Sequence, residues 1–401
     1  MIVLKFTNGC NLLLSHVESK SVALSIMPRF GTVDEERKYN GIAHFLEHVA
    51  FNGPKHISKK EISARIEQVG GELNAVTNHA YTHFYAEVLA KYFNRAFNTL
   101  KQICLEAEFD RKEVELERKI IMSEIHYNYE NPDYYIVDML YSALFPKHKC
   151  GMPVLGTENS IRNINEKILR RYYKKFYRVS NFWIALSGNF KQKDAAMLIE
   201  AAGKKEKKIK RSRLRLPKQK FFSVKEERNI QQSYLALGVK TPNALQNCFE
   251  IYLINAILGA SGLSSKLVSI IREKYGLAYS IYSHAEVNSI YGCFYVILST
   301  KPQKLEKAKK LVLKEWKNLQ NGVRKKDLEN AKKFIEGHLL LKSSEPLEKN
   351  KIMLFLHEHD LMLPEFLQKI QEISAYDVSK AAEEFLSVDE YSEAAILAKK
   401  I

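Results

Sequence analysis

Ser21-Val22-Ala23-Leu24-Ser25-Ile26-Met27 alternates along its length as a strand does, and a helix-like stretch ending at Gly53 follows it. Ser233-Tyr234-Leu235-Ala236-Leu237-Gly238-Val239 repeats the pattern in the second half, followed by a helix-like stretch ending near Gly259 at about the same spacing. Further strands are predicted at 80–90, 182–188, 277–286 and 291–299, and amphipathic helices near 91–107, 110–130, 162–176, 303–320 and 325–342. The strands adjoin one another instead of alternating one-for-one with helices, which favours α+β over a doubly wound parallel sheet. The expectation is an internal duplication: two homologous α+β domains, each a mixed or antiparallel sheet flanked by helices. They would occupy residues 1–203 and 226–401, joined by a basic linker at 204–225.

The chain has 401 residues, 46% hydrophobic and 27% charged, enough apolar material for more than one core and unlike a disordered chain. No run approaches the roughly 18 apolar residues that cross a bilayer. The N-terminus passes straight into polar turn residues, so neither a membrane anchor nor an export signal is expected. Five cysteines, at 10, 104, 150, 248 and 293, form no C-x-x-C and no cluster, which argues against a disulfide framework and a cysteine zinc site and fits a reducing cytoplasm. The formal net charge is +16, yet residues 204–220 alone hold ten Lys or Arg and one Glu, leaving 52 basic against 45 acidic residues elsewhere. The excess therefore reads as a solvated linker. It lacks the interleaved aromatics that stack on bases, so no nucleic-acid partner is expected.

The chemistry concentrates in Gly41-Ile42-Ala43-His44-Phe45-Leu46-Glu47-His48-Val49-Ala50-Phe51-Asn52-Gly53. On a helix His44 and His48 lie one turn apart on one face, where both imidazoles reach one metal, and Glu47 sits beside them. Such a carboxylate can take a proton from an attacking water and pass it to a leaving amine. The H-x-x-E-H order matches the inverted zincin pattern. A catalytic zinc usually takes three protein ligands. The predicted helix at 110–130 offers the third, because offsets of four, seven and eleven residues bring Glu113, Glu117 and Glu124 near one face. One of these can bind metal while another orients a ligand; Glu113 and Glu115 also read as an ordinary solvated face. His357-Glu358-His359-Asp360 spaces its histidines at i, i+2, which share no helical face, and reads as structural.

His44-Phe45-Leu46-Glu47-His48 followed by Glu124 resembles the pitrilysin-like (M16) zinc metallopeptidases, which include insulin-degrading enzyme and the mitochondrial processing peptidase. The resemblance extends to Gly70-Gly71-Glu72-Leu73-Asn74-Ala75-Val76-Thr77, to 258–267 and to Arg272-Glu273-Lys274-Tyr275-Gly276-Leu277-Ala278-Tyr279-Ser280. It implies a half-shell of two domains, with Zn2+ on His44, His48 and Glu124, Glu47 as general base and Glu117 supporting the site through hydrogen bonds. It implies that Asn74 and Ala75 lie on an edge strand that pairs with extended substrate. Arg272 and Tyr279 would bind substrate near the scissile bond; read without the resemblance, they are a helix-end arginine and a buried strand tyrosine. The length matches the short, two-domain subfamily, whose members work as dimers enclosing a chamber. Metal motif and Arg/Tyr pair occur here in one chain, which suits a homodimer, with a heterodimer with a related subunit as the alternative. The short loop around Gly259 lacks the glycine-rich insertion of the mitochondrial processing peptidase, so presequence recognition is not expected. The resulting expectation is a cytoplasmic zinc endopeptidase acting on extended or unfolded peptides; its rival is a non-catalytic scaffold subunit of a peptidase complex.

Overall fold

Two sheets carry the apolar, β-branched runs of the sequence, and a computed structural model describes them over residues 1–54, 57–209, 211 and 214–399. Within the linker predicted at 204–225, residues 210, 212 and 213 lie outside the described residues. The first sheet contains β1 (Ile2–Lys5), β2 (Asn11–His16), β3 (Ser21–Pro28), β4 (Glu72–Thr77), β5 (Thr82–Leu89) and β6 (Phe182–Gly188), in the order β1-β2-β6-β3-β5-β4. The second contains β7 (Phe222–Arg228), β8 (Ser233–Thr241), β9 (Ala278–Val287), β10 (Gly292–Thr300) and β11 (Ser392–Ala398), in the order β7-β11-β8-β10-β9.

With β1 set aside, both sheets run first, fifth, second, fourth, third in chain order. In each the first and fifth strands pair in parallel, and every other neighbouring pair is antiparallel. The duplication legible in the alternating segments is thus a duplication of topology. In each case the second strand is central and buried along nearly its whole length, and the third is an edge. Strand β4, an edge, instead alternates exposed and half-buried residues.

Five helices accompany these sheets in the first part of the chain: α1 (Ile42–Ala50), α2 (Lys59–Glu67), α3 (Phe93–Leu105), α4 (Arg111–Glu130) and α5 (Pro132–Leu144). The chain divides into two compact units that interleave in sequence. The first is Met1–Tyr127, Met152–Arg213 and Leu340–His357; the second is Asn128–Gly151, Leu214–Leu339 and Glu358–Ile401. In the second unit α5 lies on the sheet, its Leu140 and Leu144 over Gly238 of β8, and Ser392 of β11 donates to the carbonyl of Ala143 at 3.1 Å. In the first, the helix Pro346–Glu358 brings Met353 and Leu354 against Leu13, Met27, Trp183 and Ala185 on one sheet face. Asn350 is fully buried there and its amide donates into β3 and β6, to Ala23 O at 3.0 Å, Ser25 Oγ at 3.1 Å and Ala185 O at 3.1 Å. Among the described residues no helix is long and apolar enough to cross a membrane.

Candidate metal centre

Helix α1 starts at Gly41, whose φ of +88° and missing Cβ are both required: a Cβ would lie 2.6 Å from the carbonyl oxygen of Leu155. The orphan amides of the first turn are met by Glu35, which is fully buried. Its carboxylate accepts from the N–H groups of Gly41 and Ala43 and from the Asn40 amide, each at 2.8 Å. Burial pushes the pKa of Glu35 up to about 7 against the pull of these donors. Glu35 sits outside the usual N-cap spacing, and nothing in the sequence marked it.

From this helix His44 and His48 meet edge to face, ring centroids 4.6 Å apart. Helix α4 brings in Glu124, whose Oε2 lies 3.6 Å from His44 Nε2 and 3.3 Å from His48 Nε2. One ligand atom from each of the three residues lies within 4.8 Å of the others. Two atoms bound to one tetrahedral zinc at about 2.05 Å stand roughly 3.3 Å apart, so these separations suit a zinc-sized ion. The donor chemistry suits it too: two imidazoles and a carboxylate are donor types that catalytic zinc sites use. Burial, helped by His48, pushes the pKa of His44 down to about 3, which keeps that ring in the neutral form metals bind.

His48 is fixed from the other side. Its Nδ1 pairs with Glu117 Oε2 at 2.9 Å, and Lys59 Nζ donates to Glu117 Oε1 at 2.8 Å. Burial works to lower the pKa of His48, but Glu117 and Glu124 carry it up to about 9. A metal held by His48 would take Nε2, with the Nδ1 proton kept in place by Glu117. Glu117 is itself 2% exposed; burial opposes its charge, yet the bonds from His48 and Lys59 hold its carboxyl below the ordinary range. Glu47 is raised by burial, with the Thr77 hydroxyl, 2.5 Å from its Oε2, pulling the other way.

The structure brings together His44, His48, Glu124 and Glu117, with Glu47 on the same helix. Glu113 and Glu115 stay outside: both are exposed, and Glu115 pairs with Arg118. Asn74 and Ala75 lie on β4 at the sheet edge, where the Ala75 amide donates to the Asn74 Oδ1 at 2.8 Å. Arg272 and Tyr279 belong to the second unit, Arg272 exposed in the wide-turned helix Val268–Lys274 and Tyr279 on β9 with 77% of its surface exposed, not the buried strand tyrosine of the plainer reading. In the second histidine cluster the side chains are engaged separately. His357 packs edge-on against Trp183 in the first unit; in the second, Glu358 accepts from the Ser289 amide and His359 Nε2 pairs with the Tyr252 hydroxyl at 2.7 Å. Lys59 and Thr77 are contributors that the sequence reading did not single out, although Thr77 ends the quoted stretch 70–77.

Comparison with known proteins decides the family. The family model described as "Insulinase (Peptidase family M16)" matches residues 12–158, and that described as "Peptidase M16 inactive domain" matches residues 163–335. The chain belongs to peptidase family M16. Among M16 relatives it is 29% identical over 389 residues to the uncharacterized zinc protease YmxG of Bacillus subtilis, covering 95% of each chain. Its fold is that of a protease from Helicobacter pylori, with a TM-score of 0.90 at 18% identity over 99% of both chains. It is also that of a peptidase M16 inactive domain from Pseudomonas fluorescens, with a TM-score of 0.89 at 20% identity over 100% of this chain and 98% of that one. The donor cluster falls wholly within the first matched segment.

Proposed function

We propose that this chain is a zinc-dependent endopeptidase that hydrolyses extended or unfolded peptides. The observation that carries the reading is the spacing of His44, His48 and Glu124 around one point, with Glu47 adjacent on the same helix. His44, His48 and Glu124 would hold the ion. When bound, zinc supplies Lewis acidity, which polarises a peptide carbonyl and makes water acidic enough to attack near neutral pH.

The remaining steps belong to the chain. Glu47 removes the proton of the attacking water and returns it to the departing amine, and burial, which raises its pKa, makes it the stronger base. Glu117, held by Lys59, keeps a proton on His48 Nδ1 and so reserves Nε2 for the metal. The outer edge of β4 at Asn74 and Ala75 takes up substrate backbone as an added strand, which gives affinity with loose sequence preference. Arg272 and Tyr279, both exposed, contact substrate near the scissile bond. The working unit is a cytoplasmic homodimer enclosing a chamber.

A second reading, a non-catalytic partner subunit, draws support from the match of 163–335 to an M16 domain described as inactive. The complete donor set in the first unit weighs against it. The test is zinc quantification and an unfolded-peptide digest on one purified preparation. The expected result is one zinc per chain, cleavage abolished by chelation and restored by zinc. A metal-free chain that cleaves nothing after zinc addition favours the partner subunit.

A further inference from the structure

The edge strand β4 ends at Thr77, and period-2 alternation decides where that side chain goes. Glu72, Asn74 and Val76 are exposed, while Leu73 and Ala75 turn inward and pack against the core that includes Phe45 and Val49 of α1. Thr77 shares the inward face. Its hydroxyl has one proton to give and two acceptors in reach, Glu47 Oε2 at 2.5 Å and Thr82 Oγ1 at 3.3 Å. Thr82 is fully buried and donates to the Phe30 carbonyl at 3.1 Å, so its own proton is committed. The shorter contact to an ionisable acceptor wins, and Thr77 donates to Glu47. Among the described residues Thr77 is the one hydrogen-bond partner of the Glu47 carboxylate.

We infer that Thr77 is a positioning residue: its hydroxyl fixes the Glu47 carboxylate with Oε2 occupied and Oε1 left to take the proton, and ties that orientation to the strand on which substrate is laid. The inference rests on the endopeptidase reading above, since it matters only if Glu47 acts as base. Without the tether the carboxylate can rotate about its terminal torsion, which is broad and offers no intrinsic preference. Proton transfer depends on an acceptor held within hydrogen-bond reach of the proton, so loss of the tether lowers turnover and leaves the binding of peptide and metal alone.

The experiment compares Thr77→Val, Thr77→Ala and Thr77→Ser with the wild-type chain in steady-state cleavage of an unfolded peptide, with zinc content and thermal melting measured on the same samples. Thr77→Val, which is nearly isosteric, should lower kcat about 10- to 100-fold, the range expected for losing a hydrogen bond to a charged group. KM and zinc content stay unchanged, and Thr77→Ser, which keeps the hydroxyl, restores kcat to within about threefold. Thr77→Ala repeats the Val result should the branched side chain disturb the strand. In a Glu47→Gln background, where peptide binds without being cleaved, Thr77→Val should leave peptide affinity unchanged. Wild-type kcat in both Val and Ala variants overturns the inference, as does a loss that Ser fails to rescue or that appears in KM or zinc content. A wild-type chain that binds zinc and cleaves no peptide instead overturns the endopeptidase reading and the inference with it.

Discussion

Replacing Glu117 by glutamine tests how the centre is held. Its two carboxylate oxygens each serve a different donor, His48 Nδ1 at 2.9 Å and Lys59 Nζ at 2.8 Å. An amide has only one oxygen, so one donor must face an NH2 group. If the NH2 group faces His48, the ring proton is driven from Nδ1 to Nε2, the atom that points at Glu124 and is wanted by the metal. If it faces Lys59, a half-exposed ammonium is left against a dipole of the wrong sign. Loss of such supporting partners typically weakens metal binding about 10- to 100-fold, roughly 1.4 to 2.7 kcal/mol. Glu124→Gln removes a charged ligand outright and should cost at least about tenfold more. The assay is zinc competition against a chromophoric chelator at fixed neutral pH. A specific corollary follows from the geometry: adding Lys59→Met to Glu117→Gln should recover part of the affinity, because the amide oxygen is then free to turn to His48. A larger loss for Glu117→Gln than for Glu124→Gln would mean that ligand and supporter are exchanged, and unchanged affinity in both would place the metal elsewhere.

Asn350→Leu should destabilise the first unit by about 2–3 kcal/mol in chemical denaturation, since three acceptors on β3 and β6 lose the amide that serves them in a fully buried site; a change under about 0.5 kcal/mol would refute this. His83, 5% exposed, has its pKa pushed down to about 3 by burial and then by Lys351. The unfolded chain therefore binds the proton first, and stability should fall as the pH drops from about 6.5 toward 3, by at most about 4 kcal/mol. His83→Leu should flatten that acid limb in a pH series of thermal melts; an unchanged slope contradicts it.

The central strands and long helices were legible because their periodicity is their own: 182–188 and 325–342 coincide with the observed elements, and 21–27 falls one residue short of β3. The halves were legible as a repeat because the same run of alternating strand then helix recurs, although β1, β2, β7 and β11 were not read, their strand character coming from the neighbours they pair with. Helix α5 and the helix Pro346–Glu358 escaped for a related reason. Both carry apolar residues around much of the circumference, since each packs into a unit otherwise built largely from the other half of the chain. At the site, helical spacing brought His44 and His48 to one side of α1 and left Glu113, Glu117 and Glu124 as candidates on one face of α4, and the family resemblance chose Glu124 and Glu117 among them. Glu35, Lys59 and Thr77 act from other elements, and only tertiary structure puts a capping carboxylate six residues ahead of Gly41 or a strand hydroxyl on Glu47.

The most direct test of the account is Glu47→Gln, with zinc content and peptide cleavage measured on the same preparation. Glu47 is assigned proton transfer and no role in holding the ion, and a general base contributes about 10²- to 10⁴-fold. Zinc should be retained at the wild-type level, with cleavage at or below about 1% of the wild-type rate. Cleavage near the wild-type rate, or loss of zinc together with activity, would contradict it.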